Sequence, residues 1–208
     1  GVQPEERVLI ICQDRPEFVA SFLGSLAIGA VPVPLSTLFT PADYRYFIGD
    51  SRARALVIEG ALLEKVLDAR DKDPPFKTVL AVDPTKETRD VLSYHDVVSR
   101  QPTTLPFQET HRDDPCYWLY SSGTTGRPKG VVHLHGDMVH CIEPFARHVV
   151  DISPEDVVFC VPKLSFSYGL GTSLFLSLMA GASSVLLPRR PEPALVLEAL
   201  ERYRPTLF

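Results

Sequence analysis

The sequence YSSGTTGRPKG, residues 120–130, lies between two apolar, strand-like runs, residues 116–120 and 131–135. A flexible Gly/Ser/Thr connector is not typical between two such strands, so the pattern predicts a tight, ordered junction between buried elements. Its three glycines allow a ligand to approach the backbone amides closely. Its hydroxyls can donate hydrogen bonds, and its lysine carries a compact positive charge. This composition indicates a site for a polyphosphate.

The spacing within this stretch differs from that of a Walker phosphate-binding loop. The Walker pattern GxxxxGK[ST] places four residues between its glycines and a lysine directly after the second glycine. Gly123 and Gly126 enclose two residues, and Lys129 follows an Arg-Pro pair. The spacing therefore argues against a P-loop kinase.

Residues 120–130 as a whole resemble the signature of the adenylate-forming enzymes. This family includes acyl-CoA and aryl-CoA ligases, peptide-synthetase adenylation domains and luciferases. In the family the signature holds the β- and γ-phosphates of ATP while a substrate carboxylate attacks the α-phosphate, which gives an acyl-adenylate and pyrophosphate. The order of elements from residue 7 to residue 208 is also similar to the family's, so the resemblance covers essentially the whole chain.

The resemblance implies roles for individual loop residues. Those assigned to the ATP phosphates are Ser121, Ser122, Gly123, Thr124, Thr125, Gly126 and Lys129. Magnesium is held in the family partly by a signature threonine, for which Thr124 is the candidate. The family's adenylation lysine belongs to a small C-terminal domain beyond these motifs, so no catalytic residue is assigned and the chain is expected to be inactive alone.

A second segment, residues 163–171 with the sequence KLSFSYGLG, follows a predicted strand and opens a predicted helix. Ligands of open α/β sheets bind beyond the carboxyl ends of strands, which favours a substrate role, although aromatic residues also pack the starts of core helices. The segment resembles the FFAYGLG of benzoate-CoA ligase and its relatives, whereas many acyl-CoA ligases have histidine in place of the second phenylalanine. The residues that the resemblance assigns to the acid pocket are Phe166, Ser167, Tyr168 and Gly169.

The chemistry of this segment indicates an aromatic acid. Tyr168 offers a face on which a planar ring can stack. Ser167 stands where the benzoate-type segment has alanine, and we expect its hydroxyl to accommodate a polar ring substituent such as hydroxyl or amino. The resemblance implies an AMP-forming aryl-CoA ligase that converts a benzoate, ATP and CoA into aryl-CoA, AMP and pyrophosphate. Ligases of coumarate or fatty-acyl type and a non-catalytic nucleotide-binding module are the alternatives.

The composition is that of a globular, cytoplasmic enzyme. The chain has 208 residues, of which 45% are hydrophobic and 23% charged, so it can bury a sizeable core. A net charge of −5 without a sustained basic run gives no electrostatic footprint for nucleic acid. The four cysteines have neither CxxC nor metal-ligand spacing, which predicts buried free thiols. Residues 18–35 and 164–188 are uncharged, but their glycines and prolines argue against membrane spans.

Strand-like and helix-like segments alternate along the chain, which predicts an α/β fold with mostly parallel sheets flanked by helices. A polar, proline-containing stretch, residues 101–114, predicts a crossing between two subdomains, residues 1–105 and 106–208. By resemblance, both belong to the large N-terminal domain of an adenylate-forming enzyme. The chain is expected to be cut at both ends, because it stops inside a strand-like run at residue 208.

Two further polar groups are weaker candidates for metal sites. His133 and His135 face the same side of a strand, but no third ligand is evident, so packing and hydrogen bonding are expected. Asp113 and Asp114 precede a proline, where paired acids usually form a solvated turn or cap. The expected partners are therefore a small aromatic acid, ATP and CoA, with neither nucleic acid nor membrane, and homo-oligomerisation is left open.

Overall fold

The computed structural model describes residues 1–68, 76–122 and 126–208. The first half is built on a parallel sheet of five strands in the order β2-β1-β3-β4-β5. Its strands are β1 (Arg7–Ile11), β2 (Val31–Pro34), β3 (Ala55–Glu59), β4 (Thr78–Val82) and β5 (Leu92–Ser93). Its helices are α1 (Pro16–Ala27), α2 (Pro41–Ser51), α3 (Leu63–Leu67) and α4 (Tyr94–Val98).

The central strands of this sheet are buried on both faces, as parallel strands flanked by helices must be. Four consecutive residues of β1, from Val8 to Ile11, are at most 5% exposed. This explains why β1 is a continuous apolar run rather than an alternating one. Helix α2 begins at a proline after a Thr40 cap, whose hydroxyl oxygen accepts from the Asp43 amide while the Asp43 carboxylate accepts from the Thr40 amide.

The second half contains two small sheets. Strands β6 (Pro115–Ser121) and β7 (Lys129–Leu134) form an antiparallel pair, and β8 (Val157–Phe159) pairs in parallel with β9 (Ser183–Val185). The helices are α5 (His135–Phe145), α6 (Ser167–Gly169), α7 (Ser177–Ala180) and α8 (Pro193–Tyr203), with π-helical turns at Ala146–Val150 and Leu170–Leu176. Leu207 makes an isolated parallel bridge to Val158, where the sequence predicts a final strand.

Aromatic packing joins the two halves in one core. The ring of Phe22 on α1 lies 5.8 Å from the ring of Tyr117 on β6 and 5.9 Å from that of Phe175. Tyr117 and Phe175 are themselves 5.5 Å apart, measured between ring centroids. The first sheet, the hairpin β6–β7 and the helical segment after residue 167 therefore share a hydrophobic cluster.

Most of the predicted elements are present, and the differences have physical causes. The parallel sheet of the first half is confirmed, but β6 and β7 are antiparallel because a short loop can join strands only in a hairpin. The sequence predicts that the strand after the loop is buried. Strand β7 is instead exposed or half-buried along its whole length. A 3₁₀ turn, Gly60–Leu62, leads directly into α3.

The cysteines are free, as predicted, and three of them are buried. The prediction of buried thiols is wrong for Cys141, which is exposed. Burial raises the pKa of the Cys116 thiol to about 12, with a smaller contribution from Asp137. Among the described residues, no helix is long and apolar enough to cross a membrane.

A matched pair of glycine substitutions tests the packing of this sheet. A Cβ added to Gly60, just after β3, would lie 2.3 Å from the Asp83 carbonyl oxygen, so Gly60→Ala should lower the free energy of unfolding by about 1–3 kcal/mol. Gly49→Ala, in the interior of α2 where no described atom lies within 4 Å of the new Cβ, should raise it by up to about 1 kcal/mol. Urea unfolding of both variants measures the difference, and equal effects would contradict the packing described.

Candidate functional site

The phosphate-loop candidate sits at the open end of the β6–β7 hairpin. Ser121 pairs with Lys129 as the last rung of the ladder, and residues 122–128 form the loop. Gly123, Thr124 and Thr125, which the sequence assigns to phosphate binding, lie outside the described residues. The described members of the predicted site, Ser121, Ser122, Gly126 and Lys129, are all exposed. Their hydroxyl, amide and ammonium groups are therefore open to a ligand.

The loop also has a backbone requirement for glycine. Gly126 has φ of +115°, a conformation that residues with a Cβ rarely adopt. Among the described residues, no atom lies within 4 Å of the position that a Cβ would occupy there. The positive φ therefore favours glycine at this turn.

The base of the loop is anchored on helix α2. The hydroxyl of Tyr46 donates a hydrogen bond to the Pro128 carbonyl oxygen at 2.7 Å, and the Arg127 guanidinium lies 5.6 Å from the centroid of the Tyr46 ring. At the other side of the hairpin, the hydroxyl of Tyr120 donates to a carboxylate oxygen of Asp50 at 2.6 Å. Burial and this hydrogen bond both raise the pKa of Tyr120. Both strands that lead into the loop are thus held by α2.

The acid-pocket candidate borders a large cavity beyond the carboxyl ends of β1, β2 and β8. The cavity has a volume of about 530 Å³, and both Ser165 and Phe166 line it. Its remaining lining residues are Cys12, Gln13, Asp14, Ser36, Thr37, Leu38, Val161, Pro162, Lys163, Arg190 and Pro191. A cavity of this size can hold a small organic ligand, and its place at strand ends is usual for ligand sites in α/β folds.

The structure separates the four residues that the sequence assigns to the acid. Phe166 contributes to the cavity wall, whereas Ser167 and Tyr168 are exposed and are not among its lining residues. Gly169 is buried, and a Cβ there would lie 2.2 Å from the carbonyl oxygen of Lys163 and 2.4 Å from that of Pro162. Gly169 therefore allows the helix to start directly against the preceding turn.

The two histidines and the acidic pair before β6 have local structural contacts. His133 lies on β7, but His135 is the first residue of α5, so the prediction that both lie on one strand is wrong. The ring of His133 stacks on that of Tyr117 at 4.5 Å, and its Nδ1 lies 3.7 Å from a carboxylate oxygen of Asp137. Burial lowers the pKa of His135. Asp114 accepts a hydrogen bond from the His111 amide at 2.6 Å, in the turn that the sequence predicts. Within the part of the chain that the structure describes, no three His, Cys, Asp or Glu side chains could together hold a metal ion.

Sequence reasoning missed the residues that support the two candidate sites. Tyr46 and Asp50 contact the hairpin from 82 and 70 residues away in the chain, respectively, and nothing in the amphipathic pattern of α2 distinguishes them. Asp14 and Lys163 meet beside the cavity although 149 positions separate them, from residue 14 to residue 163. Each follows a strand, so the rule that ligands bind at carboxyl ends of strands is the signal that could have identified them.

The family to which this chain belongs is shown by its similarity to known proteins. Residues 1–208 match the family described as AMP-binding enzyme, and the chain belongs to that family. The resemblance drawn from residues 120–130 and 163–171 is therefore confirmed. The predicted α/β fold is also confirmed as that of the N-terminal region of adenylate-forming enzymes.

Two curated relatives of this chain are ligases of aromatic acids. The chain is 40% identical to a benzoate-CoA ligase of Thauera aromatica, with 100% of the chain and 39% of the relative covered. It is 37% identical to a 3-hydroxybenzoate-CoA ligase of Aromatoleum sp. (strain CIB), with the same two shares covered. The chain thus spans about two fifths of the length of these relatives.

Two solved structures share the fold of this chain. The anthranilate CoA ligase AuaEII in complex with anthranoyl-AMP superposes with a TM-score of 0.95 at 34% identity. The benzoate CoA ligase from Burkholderia xenovorans LB400 superposes with a TM-score of 0.89 at 35% identity. In both cases 99% of this chain and 40% of the other chain are covered.

The anchoring of the loop on α2 can be tested without any ligand. Tyr46→Phe removes the donor to the Pro128 carbonyl and should lower the free energy of unfolding by about 0.5–1.5 kcal/mol. It should also speed amide hydrogen exchange at residues 126–130, because that side of the hairpin loses its tie. Tyr203→Phe is the control, since the Tyr203 hydroxyl makes no hydrogen bond within the residues that the structure describes. Equal exchange in both variants would show that Tyr46 does not hold the loop.

Proposed function

We propose that this chain carries the ATP phosphate loop and part of the acid pocket of an AMP-forming aryl-CoA ligase. The observation that supports this best is the signature loop presented at an exposed hairpin end in a chain that matches the AMP-binding enzyme family over residues 1–208. The proposed overall reaction joins an aromatic acid to CoA through an acyl-adenylate, with AMP and pyrophosphate as the other products. Relatives named benzoate-CoA and 3-hydroxybenzoate-CoA ligase support the aromatic acid.

The proposed role of the loop is to hold the phosphates of ATP. Backbone amides and hydroxyls of residues 121–126 would donate to the phosphate oxygens, and the exposed Lys129 would place a positive charge at the mouth of the loop. These groups would stabilise the negative charge that develops as pyrophosphate leaves. Positioning of the two reactants would supply most of the remaining acceleration, because the carboxylate then attacks an immobilised phosphate.

Magnesium is proposed as the metal that accompanies ATP. The hydroxyl of Thr124 would supply one oxygen ligand. Mg²⁺ typically takes few protein ligands and fills its octahedral shell with water and substrate phosphates. A single hydroxyl beside a triphosphate is therefore compatible with this metal, and its charge would neutralise the phosphate oxygens.

The proposed acid site lies around the start of α6. Phe166 supplies an apolar wall at the cavity, and Tyr168, which is 68% exposed, presents an open aromatic face. Ser167 is proposed to hydrogen-bond a hydroxyl or amino substituent of the ring. Gly169 is proposed to let this segment turn tightly enough to present these side chains. CoA is proposed as the second substrate, and its thiolate would attack the acyl-adenylate.

The proposal also covers the domain organisation of the chain and the cellular compartment of the protein. Residues 1–105 and 106–208 are proposed as two subdomains of one larger N-terminal domain. A cytoplasmic location is proposed because the four cysteines are free and because ATP and CoA are supplied there. Coumarate-CoA ligases match the chain at lower identity, for example 28% for one from Humulus lupulus, which favours a benzoate-type acid.

The loop assignment predicts a specific loss of nucleotide affinity. In the natural protein that contains residues 1–208, Lys129→Ala should weaken ATP binding roughly tenfold to a hundredfold, the range expected for one lost charge-assisted hydrogen bond. Lys77→Ala is the matched control, because Lys77 is an exposed lysine outside the proposed site. Isothermal titration with ATP measures both. Unchanged affinity for ATP in Lys129→Ala would show that Lys129 does not contribute to nucleotide binding.

The acid assignment predicts a shift in preference at Ser167. Pyrophosphate release should be fastest with benzoate and its hydroxy and amino derivatives, compared with 4-coumarate and octanoate. Ser167→Ala should lower the ratio of kcat/KM for 3-hydroxybenzoate or 2-aminobenzoate over benzoate by about fivefold or more, since one hydrogen bond is lost. Ser183→Ala, an exposed serine on β9, should leave the ratio unchanged. A ratio that does not move in either variant contradicts the role of Ser167, and preference for octanoate contradicts the aromatic acid.

A further inference from the structure

An ion pair between a buried carboxylate and a half-buried lysine connects the two halves of the chain beside the 530 Å³ cavity. Asp14 follows β1 and is 6% exposed. One of its carboxylate oxygens lies 3.7 Å from the ammonium nitrogen of Lys163, and the other accepts a hydrogen bond from the backbone amide of Leu164 at 3.1 Å. The carboxylate thus holds both a side chain and the backbone of the segment that follows β8.

Lys163 extends this connection to a third part of the fold. Its ammonium group donates to the backbone carbonyl oxygen of Leu187 and, at 2.8 Å, to that of Arg189. These carbonyls belong to the stretch that follows β9. One lysine therefore ties together the ends of β1, β8 and β9, which are far apart in the sequence.

The pair is expensive to bury, so stability alone does not explain it. Burial raises the pKa of Asp14 although Lys163 opposes the shift, and burial lowers the pKa of Lys163 although Asp14 opposes it. Desolvation thus outweighs the attraction for both groups. Buried pairs of this kind contribute little net stability, but loss of one partner leaves an uncompensated charge. Their effect is to select one arrangement of the groups they connect.

The arrangement that this pair selects includes the wall of the proposed acid pocket. Leu164 is fully buried, and the two residues after it, Ser165 and Phe166, line the cavity. The Phe166 amide donates to the Lys163 carbonyl oxygen at 2.9 Å, and the Phe166 carbonyl accepts from the Leu170 amide at 2.8 Å. A displacement of Lys163 would therefore be transmitted directly to Phe166 and to the start of the following helix.

We propose that Asp14 and Lys163 are positioning residues for the aromatic acid: they fix the segment 163–166 so that Phe166 forms a defined wall of the acid site. The proposal rests on the function proposed above. It predicts different effects on the acid and on ATP, because the proposed ATP loop is anchored on α2 through Tyr46 and Asp50 and not through this pair. Disruption of the pair should therefore affect the acid and spare the nucleotide.

The test uses a double-mutant cycle in the natural protein that contains this chain. Asp14→Asn keeps an acceptor for the Leu164 amide but removes the charge, and Lys163→Met removes the ammonium. Each should raise KM for benzoate roughly tenfold to hundredfold, as expected when an apolar contact of the bound acid is lost, with less than about a twofold change in KM for ATP. In the double variant, KM for benzoate should be no higher than in the more impaired single variant, because both substitutions remove the same ion pair.

Amide hydrogen exchange supplies a readout that does not depend on activity. Exchange at residues 164–170 should be faster in both single variants, while exchange at residues 126–130 should stay unchanged. Glu143→Gln is the matched control, since it breaks the 2.8 Å ion pair with Arg147 on an exposed face of α5. Lys163→Arg, which keeps the charge, should retain part of the acid affinity that Lys163→Met loses, and Asp14→Asn carries the test if Lys163→Met does not fold.

Three results would overturn the proposal: equal increases in KM for benzoate and ATP, additive effects of the two substitutions, or unchanged exchange at residues 164–170. A wild-type protein that releases no pyrophosphate with any aromatic acid would refute the proposed function and, with it, the role of the pair in acid binding. Faster exchange in the variants under that result would show that the function, and not the connection made by the pair, was wrongly assigned.

Discussion

The contact on which the rest of the structure depends is the aromatic packing of Phe22 against Tyr117 and Phe175. It packs helix α1 against the hairpin that carries the candidate phosphate loop, in the same cluster as residues of β1. Burial of three aromatic rings removes a large apolar area from water, and their tilted arrangement adds favourable ring contacts. Because this cluster fixes the hairpin relative to the sheet, helix α2 can reach the base of the loop and the strand ends can meet around one cavity.

The two candidate sites use this rigid frame in different ways. The phosphate loop is exposed and its support lies at its two ends, where tyrosine hydroxyls connect it to α2. Such an arrangement leaves the described polar residues of the loop, Ser121, Ser122 and Lys129, exposed to solvent. The acid segment is instead held from below by buried charges, and its side chains stand between the turn at Lys163 and the helix that follows. Hydrogen bonds from tyrosine hydroxyls support one candidate site, and an ion pair supports the other.

Sequence patterns predicted the regular elements best where local chemistry was strongest. Helix α2 and strand β4 are such elements, because a Thr-Pro start favours a helix and a segment rich in β-branched residues favours a strand. The two-residue strand β5 was not predicted, since two residues are too few to show a period. The antiparallel pairing of β6 and β7 was missed for another reason. Alternation of strands and helices indicates how often strands occur, but the direction of a pair depends on which strands become neighbours.

The sequence by itself determined the family and indicated the chemistry proposed for the two motifs, because an eleven-residue signature and the segment around Phe166 are local patterns of glycine, hydroxyl and aromatic groups. It also located free thiols and a parallel α/β sheet. Only the tertiary structure decided what supports these motifs: Tyr46 beneath the loop, and Asp14 with Lys163 beside the cavity. Such pairs have no sequence signature, since a hydrogen bond or ion pair across many residues requires only that the fold bring two polar groups together. Of the four predicted acid residues, Phe166 alone lines the cavity, since Ser167 and Tyr168 are exposed and Gly169 is buried against the preceding turn, which no local pattern shows.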